Sequence, residues 1–333
     1  MKAGVFHGAR DVRCEDVPEP ELGEGEALIR VRACGICGSD LHTYREGLFQ
    51  DLALSTPAGR ILGHEFAGEI VAINGDMQGL TVGDRVTVPG LGANAEYVKI
   101  PTAAAGLCLP LADDVSYTEA ATTEPLATSL HAVNIAEVGD GETVVIMGAG
   151  IIGLGILQCI RARSTARTVV VDLSDKRLAL AAELGADETV NARDGGVEER
   201  LMAHTGAAGE LLDAPRGVAD LVFDCVGVTA NFTGTSVLEQ ALAMVKPRGT
   251  VVVVAVFERP LEIDANLVVR KGVRLLGSWA WSGQEFVDAL ELISSGKVDR
   301  RALISHEFSL EQVAEAYATQ ASTDAAIKVM LVP

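Results

Sequence analysis

The stretch Thr143-Val144-Val145-Ile146-Met147-Gly148-Ala149-Gly150-Ile151-Ile152-Gly153, continued through an apolar segment to Thr168-Val169-Val170-Val171-Asp172, decides the fold of this chain. Its pattern predicts strand, tight turn, helix and strand. Gly148 permits the turn, Gly150 lets backbone approach a pyrophosphate, and Gly153 lets the helix sit close against the strand. Ile151 and Ile152 open the helix, whose unpaired N–H groups and positive dipole end face the phosphates. Asp172 closes the second strand, where a carboxylate accepts hydrogen bonds from both hydroxyls of an adenosine ribose and repels a 2′-phosphate. The stretch therefore reads as a dinucleotide site that selects NAD over NADP.

Outward from it, residues 143–277 alternate strands with helices. Strands are expected at 188–190, 220–223, 250–256 and 273–276, with helices such as 176–184 and 232–245 between them, the latter stopping before Pro247. That alternation implies a parallel sheet covered on both faces. Residues 206–217, rich in Gly and Ala with Pro215, read as a surface loop. Before this region, short β-like runs at 27–32, 67–73, 85–88 and 95–100 form a compact, mostly β unit, and residues 118–138 turn helical. After Gly277 come two amphipathic helices, 284–294 and 310–320, and a strand at 327–332. Their mixed character resembles the first unit, so the chain is expected to return to it.

The 333 residues are 48% apolar and 22% charged, the balance of a soluble chain with a large core and a length that favours two domains. A net charge of −19, with no run of Lys or Arg, excludes a nucleic-acid surface. No stretch approaches a membrane span and the N-terminus has no secretory apolar region, so no membrane partner is expected. Six scattered cysteines suggest reduced thiols, and a cytoplasmic protein is the expectation.

Two clusters in the first unit carry chemistry: Cys34-Gly35-Ile36-Cys37-Gly38-Ser39-Asp40-Leu41-His42 and Gly63-His64-Glu65. Cys34 and Cys37 alone are compatible with a redox pair or half of a zinc knuckle, but no second cysteine pair follows at zinc-finger spacing, and the surroundings are not thioredoxin-like. An open catalytic zinc site needs three protein ligands, which distant loops can supply, and Cys37, His64 and a carboxylate would satisfy it.

Gly35-Ile36-Cys37-Gly38-Ser39-Asp40-Leu41-His42, Gly63-His64-Glu65-Phe66-Ala67-Gly68, Val82-Gly83-Asp84-Arg85-Val86 and Glu124-Pro125-Leu126 together resemble the zinc-dependent medium-chain alcohol dehydrogenases, nearest the sorbitol, butanediol and threonine dehydrogenase branch. The resemblance implies an α/β architecture: a GroES-like, mostly β catalytic domain over residues 1–125 and 278–333, a Rossmann domain with a doubly wound parallel sheet over 126–277, and an active site in the cleft between them. It implies that Cys37 and His64 are zinc ligands, that Glu124 is the third, that Glu65 exchanges with water as a ligand, and that Asp40 supports the histidine. Ser39 and His42 match the proton relay out of a water-poor site.

On the cofactor side the resemblance implies Arg177 beside the adenosine ribose, and Val226, Val254, Val256 and Ser278 around adenine and nicotinamide. The implied activity is hydride transfer between NAD and a secondary alcohol, diol or polyol held as its alkoxide on zinc. Reduction of a ketone or aldehyde in a biosynthetic pathway is the enzymic alternative, and a dinucleotide-sensing protein without chemistry is the rival. Family members often carry four closely spaced cysteines between residues 88 and 95, where this chain has only Pro89-Gly90-Leu91-Gly92-Ala93-Asn94, so one catalytic zinc and no structural zinc are expected. The run at 273–276 resembles the edge strand through which such enzymes pair, which suggests a homodimer or homotetramer.

Overall fold

The computed structural model describes residues 1–197, 200, 210–211, 214–215, 219–227, 233–322, 324 and 326–333. The chain divides into two compact units, Met1–Ala127 with Ser282–Pro333, and Thr128–Trp281.

The second unit is built on a six-stranded sheet in the order Glu188–Asn191, Arg167–Asp172, Thr143–Met147, Ala219–Asp224, Val245–Val253, Arg274–Gly277, with every neighbouring pair parallel. This is a doubly wound order, and it reverses between Thr143–Met147 and Ala219–Asp224. Val144, Val145, Ile146, Val169 and Val170 are fully buried, as strands covered on both faces require. Each such side chain contributes roughly 1.5–3 kcal/mol relative to exposure.

Two elements of this unit differ from the sequence pattern. The helix expected over 232–245 is Val237–Met244, capped by Ser236, whose hydroxyl accepts from Glu239 N; Phe232 lies outside the described residues. Pro247 does not simply end it, because the next strand has already begun at Val245. A register irregularity facing Ala219 and Leu221, with Arg248 at φ +64°, accommodates the proline where it cannot donate to the ladder. That strand ends at Val253, so Val254 and Val256 follow it, with Val254 N and Ala255 N both donating to Asp224 O. The expected loop at 206–217 lies outside the described residues, apart from a short antiparallel pair, Glu210–Leu211 with Ala214–Pro215.

The first unit combines a four-stranded sheet with a seven-stranded one. In the larger sheet Glu26–Gly35 lies between Glu65–Asn74 and Lys328–Leu331, in a register that sets Gly35 opposite both Glu65 and Met330. The chain thus returns to its first unit through its final strand. A Cβ on Gly35 would collide with Glu65 Oε2, so the glycine leaves the room that the Glu65 carboxylate occupies. The helical region expected over 118–138 is two helices, Tyr117–Ala121 and Thr123–Ala136, because Pro125 has no N–H with which to continue the first. The expected helix at 310–320 opens as a tight turn, Leu310–Gln312, before Val313–Gln320. Among the described residues, no helix is long and apolar enough to cross a membrane.

Candidate active site

Gly38–Glu46 forms a helix whose N-cap is Cys37, and Asp40 Oδ2 accepts a 3.0 Å hydrogen bond from Cys37 N. The carboxylate satisfies one of the unpaired donors at the helix start. Gly47, at φ +69°, ends the helix with its N–H on Thr43 O. Ser39 and His42 are three residues apart on this helix and share a face. The His42 ring meets Phe49 edge-on at 6.1 Å.

One metal-ligand set among the described residues comprises Cys37, His64 and Glu65, whose ligand atoms lie within 4.8 Å of one another. His64 Nδ1 is 3.7 Å from Asp40 Oδ1. Glu65 is fully buried, and its Oε2 accepts from Lys328 Nζ at 2.6 Å while its Oε1 has no hydrogen-bond partner. Lys328 Nζ also donates to Ile36 O at 2.8 Å. Glu124 lies in the first turn of Thr123–Ala136 and is not part of that set, although its charge acts on His64.

The electrostatics suit a cation. Burial alone would push the His64 pKa down, but the charges of Cys37 and Asp40, a hydrogen bond with Cys37 and the Glu124 charge hold it well above its ordinary value. Asp40 is pushed up by burial, against the opposing pull of His64 and the Cys37 N–H. Thiolate, imidazole and carboxylate are the donors zinc prefers, and Glu65 Oε1 is a buried acceptor still lacking a partner. These residues fit a zinc ion with an open position.

Lys328 is the functional neighbour that sequence reasoning missed. A lysine inside the apolar run Ala326-Ile327-Lys328-Val329-Met330-Leu331 was the available signal, since Lys is almost never fully buried unless paired.

In the second unit, Gly148 has φ +100° and Gly150 caps the helix Ile151–Arg163, which begins with Ile151 and Ile152. A Cβ on Gly153 would strike Gly148 O, so the close helix–strand contact is present. Asp172 Oδ2 accepts from Ala149 N at 2.7 Å, and Oδ1 accepts from Leu173 N and Ser174 N. The carboxylate therefore ties the strand end to the glycine turn. The Arg177 guanidinium lies alongside, 4.0 Å from where a Gly150 Cβ would sit. Val226 is 54% exposed and packs over Gly148, whose Cβ position is 2.8 Å from Val226 Cγ2. Val256 O abuts Gly227. Ser278 is buried with its hydroxyl unpaired, and its N–H donates to Val253 O. Asp224, also missed, ends the strand beside the switch point: Oδ1 accepts from Val226 N and Gly227 N, and Oδ2 is buried without a partner.

Comparison with known proteins agrees with both halves. Residues 23–113 match the alcohol dehydrogenase GroES-like domain and residues 152–295 the zinc-binding dehydrogenase domain. The chain is 30% identical over 346 residues to a sorbitol dehydrogenase of Bacillus subtilis (strain 168), covering 95% of this chain and 92% of that protein. The 2R,3R-butanediol dehydrogenase structure from Bacillus subtilis superposes with a TM-score of 0.83 at 28% identity, covering 100% of this chain and 99% of that one. A Sinorhizobium meliloti 1021 protein, described as a zinc-binding dehydrogenase and solved bound to NADP, superposes with a TM-score of 0.82 at 26% identity, covering 100% of this chain and 99% of the other. With a GroES-like unit, a doubly wound parallel sheet and these matches across both, the chain belongs to the zinc-dependent medium-chain alcohol dehydrogenase superfamily.

Proposed function

We infer that this protein is a zinc-dependent oxidoreductase that moves hydride between NAD and a secondary alcohol, diol or polyol. The observation that carries this reading is the Cys37, His64 and Glu65 donor set, backed by Asp40 and Lys328. Cys37 and His64 would hold the zinc, with Glu124 as third ligand and Glu65 exchanging with water. A zinc ion bound there supplies the Lewis acidity that lowers the pKa of a substrate hydroxyl. Ser39 Oγ would receive the hydroxyl proton and hand it on to the His42 imidazole, which can carry it as a general base. The sorbitol and butanediol dehydrogenase relatives favour a polyol or diol over a simple alcohol.

For the cofactor, the turn at Gly148, Gly150 and Gly153 and the helix opening at Ile151 and Ile152 would cradle the pyrophosphate. Asp172 would accept from the ribose hydroxyls beside Arg177, and Val226, Val254, Val256 and Ser278 would wall adenine and nicotinamide. We assign metal chemistry to residues 1–125 with 278–333 and cofactor binding to 126–277. One zinc per chain follows from the short run at 89–94. Pairing through Arg274–Gly277 would give a homodimer or homotetramer, and six cysteines outside any disulfide suit the cytoplasm. NADH formation by the zinc-loaded protein with a panel of secondary alcohols, diols and polyols tests the reading. Absence of turnover with every member, and of NADH consumption with the matching ketones, contradicts it.

A further inference from the structure

Asn94 and Tyr317 are both fully buried, and Asn94 Nδ2 donates to the Tyr317 hydroxyl at 2.7 Å. Each partner of this bond touches a segment that carries a metal-ligand candidate. On one side, Asn94 N donates to Leu62 O at 2.9 Å and Ala93 N to Gly63 O at 3.1 Å, so the backbone just before His64 hangs from residues 93 and 94. Gly63 is at φ +96°, and a Cβ there would lie 2.5 Å from Asn94 Oδ1 and 2.8 Å from both Asn94 N and Cys34 Sγ. The turn is seated between these groups with no room for a side chain. On the other side, the Tyr317 ring meets Tyr44 at 5.3 Å, and Tyr44 lies on the helix that Cys37 caps. Asn94 O also accepts from Gly4 N at 2.7 Å, which anchors the asparagine itself.

A buried polar pair is an expensive way to fill a core. Two apolar groups of the same shape would serve stability as well, while losing one partner leaves the other unsatisfied. What the polar pair adds is geometry, because a directional bond sets one separation where apolar contact tolerates several.

We propose that the Asn94–Tyr317 hydrogen bond is a positioning strut that fixes the Gly63–His64 turn against the Cys37-capped helix, holding the His64 and Cys37 donor atoms at the separation a metal requires. The strut rests on the metal-centre reading above. Groups hydrogen-bonded directly to metal ligands typically change metal affinity by roughly 10- to 100-fold, and the strut, one contact further out, is expected at the lower end.

The test is titration of the metal-free protein with Co²⁺ alone, following thiolate-to-cobalt and d–d absorption, beside thermal melting of the same proteins. Tyr317→Phe should bind Co²⁺ about tenfold more weakly, with shifted d–d bands. The double variant N94L/Y317F should recover the wild-type melting temperature, because no polar group is orphaned, and yet keep the weakened Co²⁺ binding. Should Tyr317→Phe not fold, the double variant carries the same comparison. Wild-type affinity and bands in the double variant, whether or not the single variant is weakened, would overturn the strut, since any loss would then track stability alone. A wild-type protein that gives no thiolate-to-cobalt band would instead sink the metal centre itself.

Discussion

Lys328 Nζ lies 2.6 Å from Glu65 Oε2 with both side chains shut away from water, one at 1% and the other at 0% exposure. A buried pair of this kind contributes little net stability, but removing one partner strands the other charge. Burial acts to lower the Lys328 pKa, and the charges of Glu65 and Cys37, with the Glu65 hydrogen bond, more than reverse that. The pair therefore sets a buried ammonium against Glu65, beside the candidate metal position.

Lys328→Met should destabilise the protein by roughly 3–5 kcal/mol in urea unfolding. The double variant K328M/E65Q should regain most of that loss while remaining impaired in turnover. A single variant as stable as wild type would show that Glu65 does not depend on Lys328 as its buried partner.

Asp172→Ala should raise the ratio of kcat/KM with NADP to that with NAD by about tenfold or more, a shift of ~1.4 kcal/mol. Because Asp172 also accepts from Ala149 N, NAD affinity should fall in absolute terms too. An unchanged cofactor ratio would remove the ribose role and leave the carboxylate only its tie to the glycine turn.

Gly153→Ala tests the close approach at the dinucleotide turn. The added methyl meets Gly148 O, a backbone atom that cannot swing aside. Thermal melting should fall and NAD binding by calorimetry should weaken together. A variant that binds NAD as wild type would contradict the tight-turn geometry.

How much of this was legible beforehand divides by range. Gly148, Gly150, Gly153 and Asp172 are readable because a turn, a helix start and a strand end are local events within one stretch. Cys37, His64 and Glu65 are readable because their residue types and neighbours carry the chemistry wherever the chain brings them. Lys328 and Glu65 stand 263 positions apart, and Asn94 and Tyr317 stand 223 apart. Nothing in a periodicity reports a partner at that distance. The break at Thr122 and the strand opening at Val245 were missed for a different reason: Pro125 and Pro247 both mark an interruption, but neither says what conformation follows it.

Asp224 supplies a pH dependence. Burial is the largest influence and raises its pKa from 3.8, against the opposing N–H groups of Val226 and Gly227. A group with a raised folded-state pKa contributes stability that is present below pH 3.8 and lost as pH rises through the folded value. Asp224→Asn, which keeps the acceptor at Oδ1, should therefore be more stable than wild type near pH 7, with the gap closing towards pH 3.8. Melting temperatures of the two proteins across that range check it, and a gap that does not depend on pH would rule out ionisation of Asp224 as its cause.

The most direct test of the account is zinc content per chain, measured by mass spectrometry on purified wild-type and Cys37→Ala protein after zinc resupply. The account predicts about one zinc in the wild type, consistent with an open catalytic site, and none retained by Cys37→Ala, whose NAD-linked turnover is lost with it. A wild-type chain that takes up no zinc, or a Cys37→Ala variant that keeps both metal and activity, would contradict it.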